Sequence, residues 1–406
     1  MYKPHIVILG AGYAGLMTAV RLQKKLHTNE AKITLVNNND YHYQTTWLHE
    51  NAAGTLKPEH TSIPIRDIIN QERIDFIIDD VVMIKEKEKR VKLSSRELSY
   101  DFLVVSLGFE AESNTIPEVN NHIFPIGNLN NARVLREHLE YNFAMYANEA
   151  KKNSARLNIV IAGGGLTGIG FAGELVNRIP VLSKEYDVDK TQVRIINIEC
   201  EETILSKWNN SLVNYAMNSL ESRGVEFITG AKLLETKEDT IVYEKNGECS
   251  EIPTMTTVWA GGVRANSILE QSGIATKFGK AEVRSDLRIP ENDQTYVIGD
   301  CARIYNPETG EPYPGTAKIA VEAALVAADN IKAQLNGQPL IDFKSNRFMS
   351  IASLGDNDGV AAVYNGRKFY GWKAAFMKKM RENQYLFKLG GINLLVKKGR
   401  FNIFGS

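Results

Sequence analysis

The stretch IVIAGGGLTGIGFAGEL, Ile159 to Leu175, sets a short apolar run ahead of three glycines and then an apolar pattern at helical spacing. Gly163, Gly165 and Gly168 satisfy G-x-G-x-x-G. The first glycine of that spacing permits a tight turn, the second lets a diphosphate reach the backbone, and the third lets helix pack on strand. The next strand-like run, VRIINIE, ends on Glu199, where an acid hydrogen-bonds the adenosine ribose of NAD. Glu201 and Glu202 follow, with no arginine nearby to offset a 2′-phosphate, so NADH is expected rather than NADPH.

The same order of elements opens the chain. IVILGAGYAG, Ile6 to Gly15, carries Gly10, Gly12 and Gly15 at the same spacing, then a helical run YAGLMTAVRLQKKL and a strand-like KITLVN. Here the second strand ends on Asn37 instead of an acid, which leaves ribose binding to an amide. Two later apolar runs, DFLVVSLG (Asp101 to Gly108) and QTYVIGDCA (Gln294 to Ala302), are placed to return to the first sheet. In the second of them Asp300 can meet a polyol hydroxyl, and the following helical run offers its N-terminal amides near Thr316 and Ala317 to the electron-rich edge of a reduced flavin.

The fold class that follows is α/β, with two Rossmann-like dinucleotide-binding domains, the first split around the second. The expected divisions are residues 1–112 and 285–335 for an FAD domain, 113–284 for an NADH domain, and 336–406 for a carboxy-terminal segment. Paired dinucleotide folds imply a flavin between a nicotinamide donor and another acceptor, with the protein aligning cofactors that carry the chemistry.

The 48 basic and 48 acidic side chains cancel over 406 residues, but unevenly. From Gly366 onward there are ten Lys or Arg against the single Glu382, a local balance of +9 on an acidic body. On a helical wheel Phe369, Trp372, Phe376, Met380 and Phe387 share one sector, with Lys378, Arg381 and Lys388 opposite and Lys373 and Lys379 on the flanks. This is the pattern of a helix lying in an anionic membrane interface. The competing reading packs the helix on the body or across a homodimer. No nucleic-acid reader motif accompanies the cations, so nucleic acid is not expected as a partner.

Three cysteines without paired spacing argue against a disulfide framework, and no run of eighteen apolar residues or leader pattern is present. His42 and His49 lack metal-ligand spacing, so no metal is expected, and His42 reads as a packed or hydrogen-bonded histidine.

Taken together, ILGAGYAG, NDYHYQTTWLHENAAGT, LVVSLG, GGGLTG, VWAGGVR, VIGDCA, SLGDNDGV and GGINLLVKKGRF run in the order of the type II NADH:quinone oxidoreductases, which the chain resembles over its whole length. The resemblance implies an FAD enzyme at the cytoplasmic face of the cell membrane that oxidises NADH and reduces a quinone, menaquinone being expected, without pumping protons. It implies FAD contacts from Gly10, Gly12, Gly15, Gly108 and Asp300, with Thr45 and Thr46 near the flavin ring, and NADH contacts from Gly163, Gly165, Gly168 and Glu199. Three positions depart from the family pattern. Gly170 stands where relatives carry Glu beside the nicotinamide and quinone pocket, and Lys318 and Glu322 replace two glutamines of a helical A-Q-x-A-x-Q pattern. These three are assigned to the catalytic face, and Lys318 and Glu322, four apart, are expected to pair. They leave open a divergent paralogue that binds FAD but oxidises NADH poorly, uses another acceptor, or serves as a membrane-docked nucleotide-binding protein.

Overall fold

The computed structural model describes residues 2–111, 123–345, 349–363 and 366–401. Two five-stranded parallel sheets organise it. The first runs, in spatial order, Thr295–Val297, Phe102–Val105, His5–Leu9, Lys32–Asn37 and Ile74–Ile78. The second runs Ile123–Pro125, Thr256–Trp259, Asn158–Ala162, Arg194–Glu199 and Val225–Thr229. In each, the strand that feeds the glycine turn is central, and parallel strands covered on both faces demand unbroken apolar runs. Ile6 to Leu9 and Ile159 to Ala162 are accordingly buried throughout.

A three-stranded antiparallel meander follows each sheet's outermost strand along the chain, Val81–Lys85 to Glu97–Ser99 in the first case and Ala231–Thr236 to Glu248–Pro253 in the second. The chain leaves the first sheet after Val105 and rejoins it at Thr295, beside Phe102–Val105. Between those points Phe109–Ala111 pairs antiparallel with Val263–Ala265, and Arg264 meets Glu110 across the pair at 3.4 Å. The helix Ala317–Leu335 lies along the first glycine helix, Tyr13–Lys25. Its alanines Ala320, Ala323, Ala324, Ala327 and Ala328 are buried and let the two axes approach closely.

After an antiparallel sheet of Met349–Ser353, Gly359–Val363 and Lys368–Tyr370 comes the tail helix, Trp372–Lys398, broken at Gly391 (φ 69°, ψ −158°). No helix of the described residues is long and apolar enough to cross a membrane. One side of the tail helix packs on the body through Ala374, Ala375, Tyr385, Leu386 and Leu389, while Trp372, Met380, Phe387, Ile392 and Val396 stay exposed. The cations correct the sequence reading, which left them without a structural role. Lys378 and Arg400 turn inward to Glu50, which would otherwise be a buried charge without a donor, and Arg381 donates to the Met349 carbonyl at 2.8 Å.

Candidate active site

Both glycine turns have the shape that a pyrophosphate requires. A Cβ on Gly10 would lie 2.4 Å from the Ser106 carbonyl oxygen, and one on Gly15 would lie 1.8 Å from the carbonyl oxygen of Gly10. In the second turn, a Cβ on Gly163 would meet Ala260 at 2.6 Å and one on Gly168 the Gly163 carbonyl at 2.0 Å. The middle glycines differ: beside Gly12 and Gly165 nothing lies within 4 Å, so the space over them is open to a ligand. These two residues also cap their helices without a side-chain acceptor, whereas Asn128, Asn209 and Thr316 each satisfy a first-turn N–H of their own helix. Uncapped first-turn N–H groups, a positive dipole end and an empty approach fit an anionic diphosphate at both turns.

The residues that close the second strands perform one shared task. Asn37 Oδ1 accepts from Ala11 N at 2.8 Å, and Glu199 Oε2 accepts from Gly164 N at 2.5 Å, so each clasps the middle of its own G-x-G. Asn37 Nδ2 is spent on the Asn39 carbonyl. Glu199 also accepts from Glu201 N and the Cys200 thiol, and keeps an edge toward the turn.

Asp300 lies with Lys280, Gly299, Gly315 and Thr316 in a cleft at the start of the helix Ala317–Leu335. Burial raises its carboxyl, Lys280 partly opposes this, and no protein donor reaches it among the described residues. A half-buried acceptor to which no described protein group donates fits a polyol hydroxyl. Thr316, which lines the cleft, takes the N–H of Ile319, and Ala317 follows it as the first residue of the helix. Gly108, with φ +75° and open space beside it, accepts from Cys301 Sγ and Asn266 N. Thr45 and Thr46 begin a 3-10 turn, and the Thr46 hydroxyl is 3.2 Å from that of Tyr13.

His42, in the strand Tyr41–Tyr43 and three positions ahead of Thr45, is enclosed and doubly bonded. Its Nδ1 is 2.9 Å from the Ala11 carbonyl and its Nε2 2.9 Å from the Tyr385 hydroxyl, while Tyr13 and Tyr385 pack ring to ring at 4.6 Å. Burial lowers the imidazole to about 4, so it is neutral.

Gly170 has a packing reason. A Cβ there would come 3.0 Å from His49 Cδ2, so the bare glycine admits the imidazole onto the helix Leu166–Tyr186. One turn on, Glu174 is buried and bonded to Thr55 Oγ1 at 2.5 Å, and its carboxyl is pushed up to about 7 by burial and then by the charge of Glu50. Burial alone would raise Glu50 as well, but Lys378 and Arg400 hold it well below the carboxylate range, each 2.8 Å from Oε1. His49, Glu50 and Glu174 bring ligand atoms within 4.8 Å of one another. Lys378 and Arg400 already supply the positive charge that a metal would bring. Lys318 pairs with Glu322 at 2.7 Å, as the spacing predicts, and Ser345 bonds both.

Sequence reasoning passed over Glu174, Glu50 and Tyr385. Glu174 carried a signal, an acid inside the apolar FAGEL run on the face of Gly170. Tyr385 carried none, because its partner lies 343 positions away.

Residues 4–324 match the family described as pyridine nucleotide-disulphide oxidoreductase. The chain is 41% identical over 399 residues to the type II NADH:quinone oxidoreductase of Staphylococcus saprophyticus, covering 98% of this chain and 99% of that one. It is 40% identical to the protein of the same name from Staphylococcus aureus, with the same coverage of both. Among solved structures, NDH2 from Plasmodium falciparum in complex with NADH superposes with a TM-score of 0.84 at 15% identity, over 98% of each chain. The sulfide:quinone oxidoreductase of Aquifex aeolicus follows at 0.78 and 19% identity, over 96% of this chain and 92% of that one, so these two speak for the fold. The chain therefore belongs to the pyridine nucleotide-disulphide oxidoreductase family and, within it, to the type II NADH:quinone oxidoreductases.

Proposed function

We propose that this chain oxidises NADH through a bound FAD and reduces a quinone, in the balance NADH + H⁺ + quinone → NAD⁺ + quinol. The observation that carries the reading is the doubled cradle: two uncapped glycine-turn helices in one chain of this family. Bound FAD supplies the means of accepting a hydride and passing two electrons on. The protein's own part is placement. Gly10, Gly12, Gly15, Asn37, Gly108, Asp300 and Ala317 would hold the flavin dinucleotide, with Thr45 and Thr46 at its ring. Gly163, Gly165, Gly168 and Glu199 would hold NADH. In domain terms, 1–112 with 285–335 would serve FAD and 113–284 NADH, leaving 336–406 for the membrane side. Gly170, Lys318 and Glu322 would shape the face where donor and acceptor meet.

The quinone is taken to be a lipid-borne menaquinone met at the cytoplasmic membrane surface, which the exposed row from Trp372 to Val396 favours. The test is anaerobic: NADH should bleach the flavin of the purified protein faster than NADPH does, and a menaquinone analogue should restore its colour. A colourless protein, or a flavin indifferent to NADH, would overturn the reading.

A further inference from the structure

We propose that the tail helix takes part in flavin binding: the Tyr385 hydroxyl, acting through His42, sets the direction of the Gly12 N–H in the first glycine turn. The inference rests on that turn holding FAD.

The two bonds of His42 fix its tautomer. The Ala11 carbonyl can only accept, so the proton of the neutral ring sits on Nδ1, Nε2 accepts, and Tyr385 is the donor. Each bond measures 2.9 Å, and His42 is 1% exposed. The Ala11 carbonyl and the Gly12 N–H belong to one trans peptide and point in opposite directions. Holding the carbonyl toward His42 therefore aims the Gly12 N–H away from His42. On the other side of Ala11, its N–H is held by Asn37 at 2.8 Å. The preceding carbonyl, that of Gly10, accepts from Ser106 Oγ at 3.2 Å. Both peptides of the turn are thus held by hydrogen bonds, and the place that a Cβ on Gly12 would take has no neighbour within 4 Å.

Without the Tyr385 hydroxyl, Nε2 becomes a buried acceptor without a donor, and the imidazole keeps only one of its two anchors. The ring is then free to turn, and its grip on the Ala11 carbonyl slackens. The aromatic packing of Tyr13 on Tyr385 needs only the ring, so Tyr385→Phe separates the relay from packing. Tyr385 and His42 are positioning residues here.

The experiment uses full-length holoprotein. FAD release is followed by the rise of flavin fluorescence on dilution, and melting is recorded with and without excess FAD. Tyr385→Phe should release FAD about threefold to tenfold faster, the worth of one buried hydrogen bond, and should narrow the rise in melting temperature that FAD confers. Gln384→Ala, an exposed neighbour on the same helix, should do neither. Release at the parental rate from Tyr385→Phe, or equal falls in melting temperature with and without FAD, would overturn the relay. A parent protein that carries no flavin at all would instead remove the underlying assignment of the turn, and the relay with it.

Discussion

The Glu50 carboxylate holds two cations of the tail at once, Lys378 and Arg400, each at 2.8 Å from Oε1. Glu382 completes the group at 3.1 Å from Lys378 and 3.8 Å from Arg400, so two negative and two positive charges lie together in the body. Removing one member leaves a buried charge uncompensated. Glu50→Ala should cost about 3–5 kcal/mol of stability, read as a drop in the thermal midpoint. Deleting everything after Gly366 should give an unfolded or aggregated product, because it also removes Tyr385 and Leu386 from the core. A truncated protein that stays folded and soluble would show the tail to be a detachable anchor.

Gly170→Glu tests the place taken by His49. The added Cβ starts 3.0 Å from His49 Cδ2, and overpacking of this kind costs roughly 1–3 kcal/mol. The single variant should therefore melt lower than the parent even though it restores the residue that the family resemblance implies here, and Gly170→Glu with His49→Ala should recover most of the loss. Independent, additive effects of the two changes in a double-mutant cycle would count against their contact.

Glu174 should set a pH dependence of stability. Its carboxyl rises from an ordinary 4.5 to about 7. A group raised in the folded state contributes fully below its unfolded value, and that contribution is lost as pH rises through the folded one. The thermal midpoint should fall between about pH 5 and about pH 8, and Glu174→Gln should flatten that part of the curve. An equally steep curve in the variant would assign the titration elsewhere.

Lys318→Gln with Glu322→Gln rebuilds the amide pattern that the family resemblance implies while removing both charges of the 2.7 Å pair. The double variant should lower the KM for a menaquinone analogue and raise turnover. Glu322→Gln alone should do less, since it leaves the Lys318 ammonium without its carboxylate and with the Ser345 hydroxyl still 2.7 Å away. Unchanged steady-state constants in the double variant would place the ion pair away from the acceptor.

Vesicle binding should depend on apolar contact more than on charge. Trp372 is 53% and Val396 70% exposed, whereas Lys378 and Arg400 face the interior. Phe387→Ser with Val396→Ser should reduce sedimentation with anionic vesicles about tenfold or more, since each large apolar side chain is worth about 1.5–3 kcal/mol when buried. Added salt should weaken binding only modestly. If salt alone releases the protein, the outward cations govern attachment.

Much of this was legible because parallel βαβ units write themselves locally. A buried apolar strand, glycines at fixed spacing and a helix fit within about thirty residues, and both copies stand where the spacing puts them. What could not be read depends on distant pairing. Asn37 looked like a missing acid, yet the structure asks only for an acceptor oxygen toward Ala11, which an amide supplies as well as the carboxylate of Glu199 does for Gly164. The tail shows the same limit, since a helical wheel records which residues share a side but not which side faces in. Lys378 and Arg381 were read with solvent because Glu50 and the Met349 carbonyl, far away in sequence or hidden in a strand, do not appear on the wheel.

The chain passes between its two sheets outbound at Phe109–Ala111 and inbound at Val263–Ala265, and these passages are laced side by side. A lone linker would swivel. A two-ply ribbon resists torsion, so the outgoing and returning passages hold each other in one fixed register.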